Sequence, residues 1–191
     1  MPVRHLARYS DFLGPIMPKK NSTRTTDVAF ARFRRMAEGY ANARGVNTKF
    51  TADAHRAMQT RIETALHRAL DIAADTRRGK TVVALDIARA RRYLHAYLGD
   101  GDAIARQACA ETFQGTLPKK LAVRRFKTRH PNARIASSAI RNVQLLYVDL
   151  LVAAVGTFAA ESATRMRPED VARIIGTVPL FATADDAAAA V

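Results

Sequence analysis

The side chains able to do chemistry in this chain are mostly guanidinium and ammonium groups. Of 191 residues, 31 are Lys or Arg against 17 Asp or Glu, giving a formal net charge of +14 at pH 7 and a pI near 10.8. Arg far outnumbers Lys. A guanidinium offers a planar fork of donors that fits a phosphate bidentately and enters a minor groove. Such an excess is the electrostatic footprint of a polyanion binder, with a merely soluble basic protein as the plain alternative. The excess is in both halves: 20 basic and 10 acidic residues up to position 110, and 11 and 7 beyond it.

Other chemistries find little to work with. Cys109 is the only cysteine, so no internal disulfide and no thiolate metal site can be built. The five His residues show no ligand spacing and read as surface or partly buried imidazoles. No nucleophile–base pair and no Gly-rich phosphate loop is present. The expectation is therefore a protein that is not an enzyme and takes no cofactor, metal or small-molecule substrate. Arg4, His5 and Arg8 interrupt any apolar run at the start, so no secretory leader is expected, and the Asn21-Ser22-Thr23 sequon reads as idle. The most apolar run, Val143 to Ala160, contains Asp149 and is short for a span. It reads as a buried helix, with no membrane partner.

The elements that must carry the basic groups are helical. Residues 1–25, with Pro2, Pro15, Pro18, Lys19 and Lys20, read as a basic tail. From Asp27 to Ala43, Phe30, Phe33, Ala37 and Tyr40 share one face, while Arg32, Arg34 and Arg35 lie on the others. Arg44-Gly45-Val46-Asn47 ends that helix. Thr51 is a candidate N-cap for a long helix with Met58, Ile62, Ala65, Leu66, Ala69 and Ile72 on one stripe. Arg77, Arg78, Gly79 and Lys80 break the pattern, and Thr81-Val82-Val83 runs extended. A shorter helix follows with Ile87, Ala90, Leu94 and Leu98 on one side. Gly99-Asp100-Gly101 is a break, and Asp102 to Phe113 makes another amphipathic helix.

After a linker at Gly115–Pro118 the plan repeats. A short basic helix leads through Asn132 to Ser138 into a second long helix, with Ile140, Val143, Tyr147, Leu150, Leu151, Ala154 and Phe158 on its apolar face. Thr164-Arg165-Met166-Arg167-Pro168 forms a second basic loop, and Val171, Ile174 and Ile175 are the packing face of a last helix. Neither long stripe can be buried alone, so each needs a partner of similar length.

Helix, loop, long helix, basic loop with Thr-Val and short helix is an order that resembles the histone fold. GKTVVALDIARA is similar to the second loop and third helix of a core histone, and LGDGDAIARQACAETFQGT to the extra C-terminal helix of histone 2B. LPKKLAVRRFKTRHPNAR resembles, without gaps, the first helix and loop of histone 2A. The whole resembles the fused histone 2B–2A doublets of large DNA viruses. The resemblance implies an all-α chain of two histone folds in an intramolecular handshake pseudo-dimer. Its domains would be 1–25 (N-terminal tail), 26–114 (histone 2B-like with the extra helix), 115–118 (linker), 119–181 (histone 2A-like) and 182–191 (C-terminal tail).

The resemblance also implies a surface. In a handshake, the first loop of each module lies beside the second loop of the other. Lys49 then sits near Thr164, Arg165 and Arg167, and Arg134 near Arg77, Arg78, Lys80 and Thr81. Arg32, Arg34 and Arg35 approach Arg124, Arg125 and Lys127 between them. These fifteen residues are the expected contacts to double-stranded DNA, with Arg134 and Arg165 in the minor groove. Tyr93, His95, Tyr97 and Leu98 are the expected joint to a histone 4–3-like doublet or to separate histones. The implied function is sequence-indifferent DNA packaging in nucleosome-like particles, in a host nucleus, viral factory or virion. A sequence-selective histone-fold transcription factor subunit is the alternative.

Three departures from the family stand out. The loop arginine that pairs with an acid at the start of the third helix is replaced by Gly79 in the first module, so Arg77 or Arg78 must substitute toward Asp86. In the second it is Ala163, which leaves the clamp to Asp170 in doubt. The second long helix is nearly one turn short. The acidic patch of histone 2A is missing as well: its positions fall on Val148, Ala153, Gly156, Val178, Pro179 and Leu180, with Asp149 and Glu161 nearby but isolated.

Overall fold

The first helix, α1 (Phe30–Ala43), starts without a side-chain cap. The computed structural model describes residues 28–46, 48–98, 123, 126–159, 161, 164–178 and 180–182, save the side chains of 93–98. The N-terminal tail, the helix expected over Asp102–Phe113, the linker and residues 183–191 lie outside these. What pins the start of α1 is Val28. Its N–H donates to Glu63 Oε1 (3.2 Å) and its carbonyl accepts from Gln59 Nε2 (2.7 Å). All three residues are buried, so these bonds satisfy polar groups that would otherwise be costly inside. The helix ends where Gly45 takes the left-handed conformation (φ 68°). That turn lets Val46 N–H reach back to the Ala41 carbonyl (2.9 Å), closing the last turn as a glycine stop does.

The long helix α2 (Ala52–Asp75) begins as its sequence predicts, with Thr51 Oγ1 accepting the Ala54 N–H at 3.1 Å. Met58, Ile62, Ala65, Leu66 and Ala69 are at most 1% exposed. Ile72 is only half-buried, because the buried face of the last turns runs through Ala69, Leu70, Ala73 and Ala74. Phe30 of α1 is likewise half-buried, with the Arg56 guanidinium 4.8 Å from its ring centroid.

The remaining elements are α3 (Ala84–Leu98), α4 (Ser137–Gly156) and α5 (Pro168–Gly176). Among the described residues the only strands are four two-residue segments: β1 (Lys49–Phe50), β2 (Thr81–Val82), β3 (Arg134–Ile135) and β4 (Arg165–Met166). The protein is mostly helical, and these segments are too short to leave a period in the sequence. They pair in parallel across the two halves of the chain: β1 with β4 and β2 with β3.

Packing follows the same crosswise logic. α2 lies against α5 and α4, and α3 lies against α4, so each long helix is covered by elements of the other half. Burying a large apolar side chain is worth roughly 1.5–3 kcal/mol, and Met58, Ile62, Leu66, Leu146, Tyr147 and Leu150 all join one core. α4 is the more enclosed helix. Leu146 to Val152 is buried without interruption, which no one-sided surface helix shows. By length and hydropathy α4 is able to cross a membrane, but 67% of that stretch is buried inside the protein, as expected of a core helix. It has 20 residues against 24 in α2, about one turn fewer.

Two expectations are corrected by burial and capping. His55 is neither surface nor partly buried: it is 1% exposed. Asp86 does not wait for a loop arginine. Its Oδ2 accepts the Val83 N–H at 2.9 Å, and Oδ1 lies 3.6 Å from Arg89, while Arg77 turns back to the Ala74 carbonyl. Asp170 does the same for α5, accepting the Arg167 N–H at 2.9 Å. Each acid stands three residues inside a helix start, close enough to satisfy an orphan backbone donor of its own segment.

Candidate nucleic-acid interface

The basic loops are brought together by backbone bonds. At one end, Lys49 stands opposite Arg165 and Phe50 opposite Met166. Lys49 N–H donates to the Thr164 carbonyl (3.2 Å) and Thr51 N–H to the Met166 carbonyl (3.1 Å). At the other end, Thr81 stands opposite Arg134 and Val82 opposite Ile135. Arg134 N–H donates to the Lys80 carbonyl (2.7 Å) and Ala136 N–H to the Val82 carbonyl (2.9 Å). The two ends use the same bond pattern, with the halves exchanging roles.

In each pair the alternation of side chains sorts chemistry. Val82 and Met166 point into the core, while Lys49, Thr81, Arg134 and Arg165 are exposed. Thr164, Arg167, Arg78 and Lys80 are exposed beside them, and Arg77 is half-buried. Each end is also where two helices start: α2 and α5 at β1·β4, α3 and α4 at β2·β3. Backbone N–H groups at these helix starts add to the positive potential only in part, since Thr51, Asp86 and Asp170 each occupy one donor at α2, α3 and α5.

The second end has a concavity. Lys80, Lys127, Pro131, Asn132, Ala133 and Arg134 line an open cleft of about 510 Å³. Among the described residues three cations and no carboxylate line it, a lining that favours an anionic group. Asn132 was not singled out by the sequence reading, although it stands in the loop that carries Arg134.

The central patch is described only in part. Arg32, Arg34 and Arg35 are exposed on α1. Arg34 spends its charge on Glu38 at 2.7 Å, and Arg35 Nε donates to the Ala31 carbonyl. Lys127 is exposed, whereas Arg124 and Arg125 lie outside the described residues. The expected joint is no better described: α3 carries the backbone of Tyr93, His95, Tyr97 and Leu98, but their side chains lie outside the description.

Ion pairs between polar side chains tie the halves together. Asp71 of α2 holds Arg129 at 2.6 Å and His130 at 2.9 Å. Arg91 of α3 reaches Asp149 of α4 at 2.9 Å. Asp149, expected to be isolated, is therefore 93% hidden and paired, since its side chain is 7% exposed. Glu161 likewise has Arg173 at 3.8 Å. Around them Val148 and Leu180 are buried and Ala153, Gly156 and Val178 half-buried, while Pro179 lies outside the described residues.

His55 closes the β1·β4 end from below. In the tautomer that donates from Nδ1, that nitrogen bonds the Thr51 carbonyl at 3.1 Å. Nε2 is buried without a partner among the described residues. The ring tilts against Phe50 at 5.3 Å, and Phe50 meets Phe158 edge-on at 5.0 Å. Burial pushes the imidazole pKa below 6.5, with the Thr51 bond and Glu38 opposing and Arg34 adding to the effect. No protein-family model, curated protein or solved structure matches this chain.

Proposed function

We propose that this chain is a structural DNA-packaging protein: two histone folds joined in one polypeptide, clasped in a handshake, that bind duplex DNA largely without regard to sequence. The observation that carries the reading is the reciprocal pairing of loops. Lys49 meets Arg165 at one end and Arg134 meets Thr81 at the other, each pair crossing between the halves. A covalent link between two such halves replaces a bimolecular association by a local effective concentration.

Exposed Arg and Lys beside helix starts attract a phosphate backbone and release its counterions. Two such ends flanking a basic α1 make a string of phosphate contacts, while base edges go unread. Packaging also calls for a histone 4–3-like partner, which the reading assigns to the α3 end of the first half. Chromatin, in a host nucleus, viral factory or virion, is the compartment the reading implies.

The test is binding of the full chain to several unrelated duplexes over a range of salt. About six phosphate contacts give a log–log slope near −5, with similar affinities for all sequences. A single preferred sequence, bound with a shallow salt dependence, would instead favour a sequence-selective regulator.

A further inference from the structure

Asp71 is an acid at the edge of a surface built to attract a polyanion. Long-range electrostatics alone makes such a residue a liability there. Its local geometry explains its place. One carboxylate oxygen lies 2.6 Å from Arg129 Nη2 and the other 2.9 Å from His130 Nε2. Asp71 and His130 side chains are 27% and 21% exposed, so the contact is more sheltered than an ordinary surface pair.

His130 is held at every polar atom that matters. Its ring leans on buried Phe126, with centroids 5.1 Å apart. Its N–H donates to the Phe126 carbonyl (2.8 Å), and its carbonyl accepts the Ala133 N–H (3.0 Å). The next four residues, Pro131 to Arg134, form one wall of the cleft that Lys80 and Lys127 complete. Displacing His130 therefore displaces that wall.

We propose that Asp71 is a positioning residue for this cleft, acting through His130 to hold the turn that presents Arg134 to a DNA phosphate. The inference rests on the packaging reading. It also assigns Arg129 to Asp71 and not to DNA.

The sign of one substitution separates positioning from electrostatics. Asp71→Asn removes a negative charge near DNA, so field effects alone predict tighter binding. Positioning predicts weaker binding, by about fivefold, a size usual for coupling between contacting residues. Binding of the full chain to a labelled duplex is measured by anisotropy at fixed salt, with far-UV circular dichroism as a check on helix content. The loss should shrink toward nothing when Asp71→Asn is made in an Arg134→Ala background, and Asp71→Glu should restore part of it. Should Asp71→Asn fail to fold, His130→Phe decides: it keeps the ring on Phe126 and the Arg129 pair but removes the bond to Asp71. Weaker binding that disappears in the Arg134→Ala background again supports the proposal. Unchanged or tighter binding by either folded variant, or a loss that persists in that background, overturns it while leaving the packaging reading standing. A wild-type chain that does not bind duplex DNA overturns both.

Discussion

Lys49 and Arg165 lie side by side on parallel strands, although 116 positions separate them in the chain. Two cations seldom share an edge unless something else holds them there. Here the Lys49–Thr164 and Thr51–Met166 backbone bonds and the Phe50–Phe158 contact do so. The arrangement leaves Lys49 and Arg165 exposed, without an ion-pair partner among the described residues.

The same crosswise pairing makes the halves dependent on each other. Expressed apart, residues 1–116 and 117–191 should each fail to unfold cooperatively, because α2 and α4 expose stripes of fully buried side chains. Mixing the two fragments should restore a sharp urea transition. Two separately monomeric, cooperatively folded fragments would show that the crossing is dispensable.

Arg134→Ala and Arg165→Ala should each weaken binding on every duplex alike and lower the salt slope by about one. Both side chains are exposed and neither holds the core, so thermal midpoints should barely move. Loss confined to one preferred sequence would point to base readout.

His55 predicts an acid-sensitive fold. Its folded pKa lies below 6.5, so as pH drops the unfolded chain takes up the proton first. The stability due to neutral His55 is complete above about pH 6.5 and declines as pH falls toward the lowered folded value. The slope from one site cannot exceed about 1.4 kcal/mol per pH unit. Urea unfolding of the full chain at pH 7.5 and 5.5 should show a smaller loss for His55→Met than for wild type. Equal losses would remove His55 as the cause.

The region that the proposed histone reading would align with the acidic patch of histone 2A should not bind an Arg-anchored peptide. Asp149 is committed to Arg91 and Glu161 to Arg173, and the surrounding positions are apolar. Titration calorimetry with such a peptide should show no saturable heat. Micromolar binding would contradict this.

The helices and their stripes were legible because Met58, Ile62 and Leu66, or Val143, Tyr147 and Leu150, repeat at helical spacing. Thr51 and Gly45 marked boundaries through local chemistry. The proximity of Lys49 to Arg165 was legible only through a family resemblance, since a two-residue strand has no readable period. Asp71 and His55 were not legible at all. Asp71 meets His130 59 positions away, and no local pattern encodes such a pair. His55 reads as a surface or partly buried residue until Phe50, itself packed on Phe158, covers it. A loop arginine was expected for Asp86 and the clamp to Asp170 was in doubt; in both cases the nearer backbone N–H takes the acid.

The most direct measurement is nuclease digestion of long DNA reconstituted with the full chain, alone and together with histones 3 and 4. Packaging predicts a ladder of protected fragments of regular spacing with the partners present, independent of the DNA sequence used. Uniform degradation with no protected fragment, or one footprint at one sequence, would contradict it.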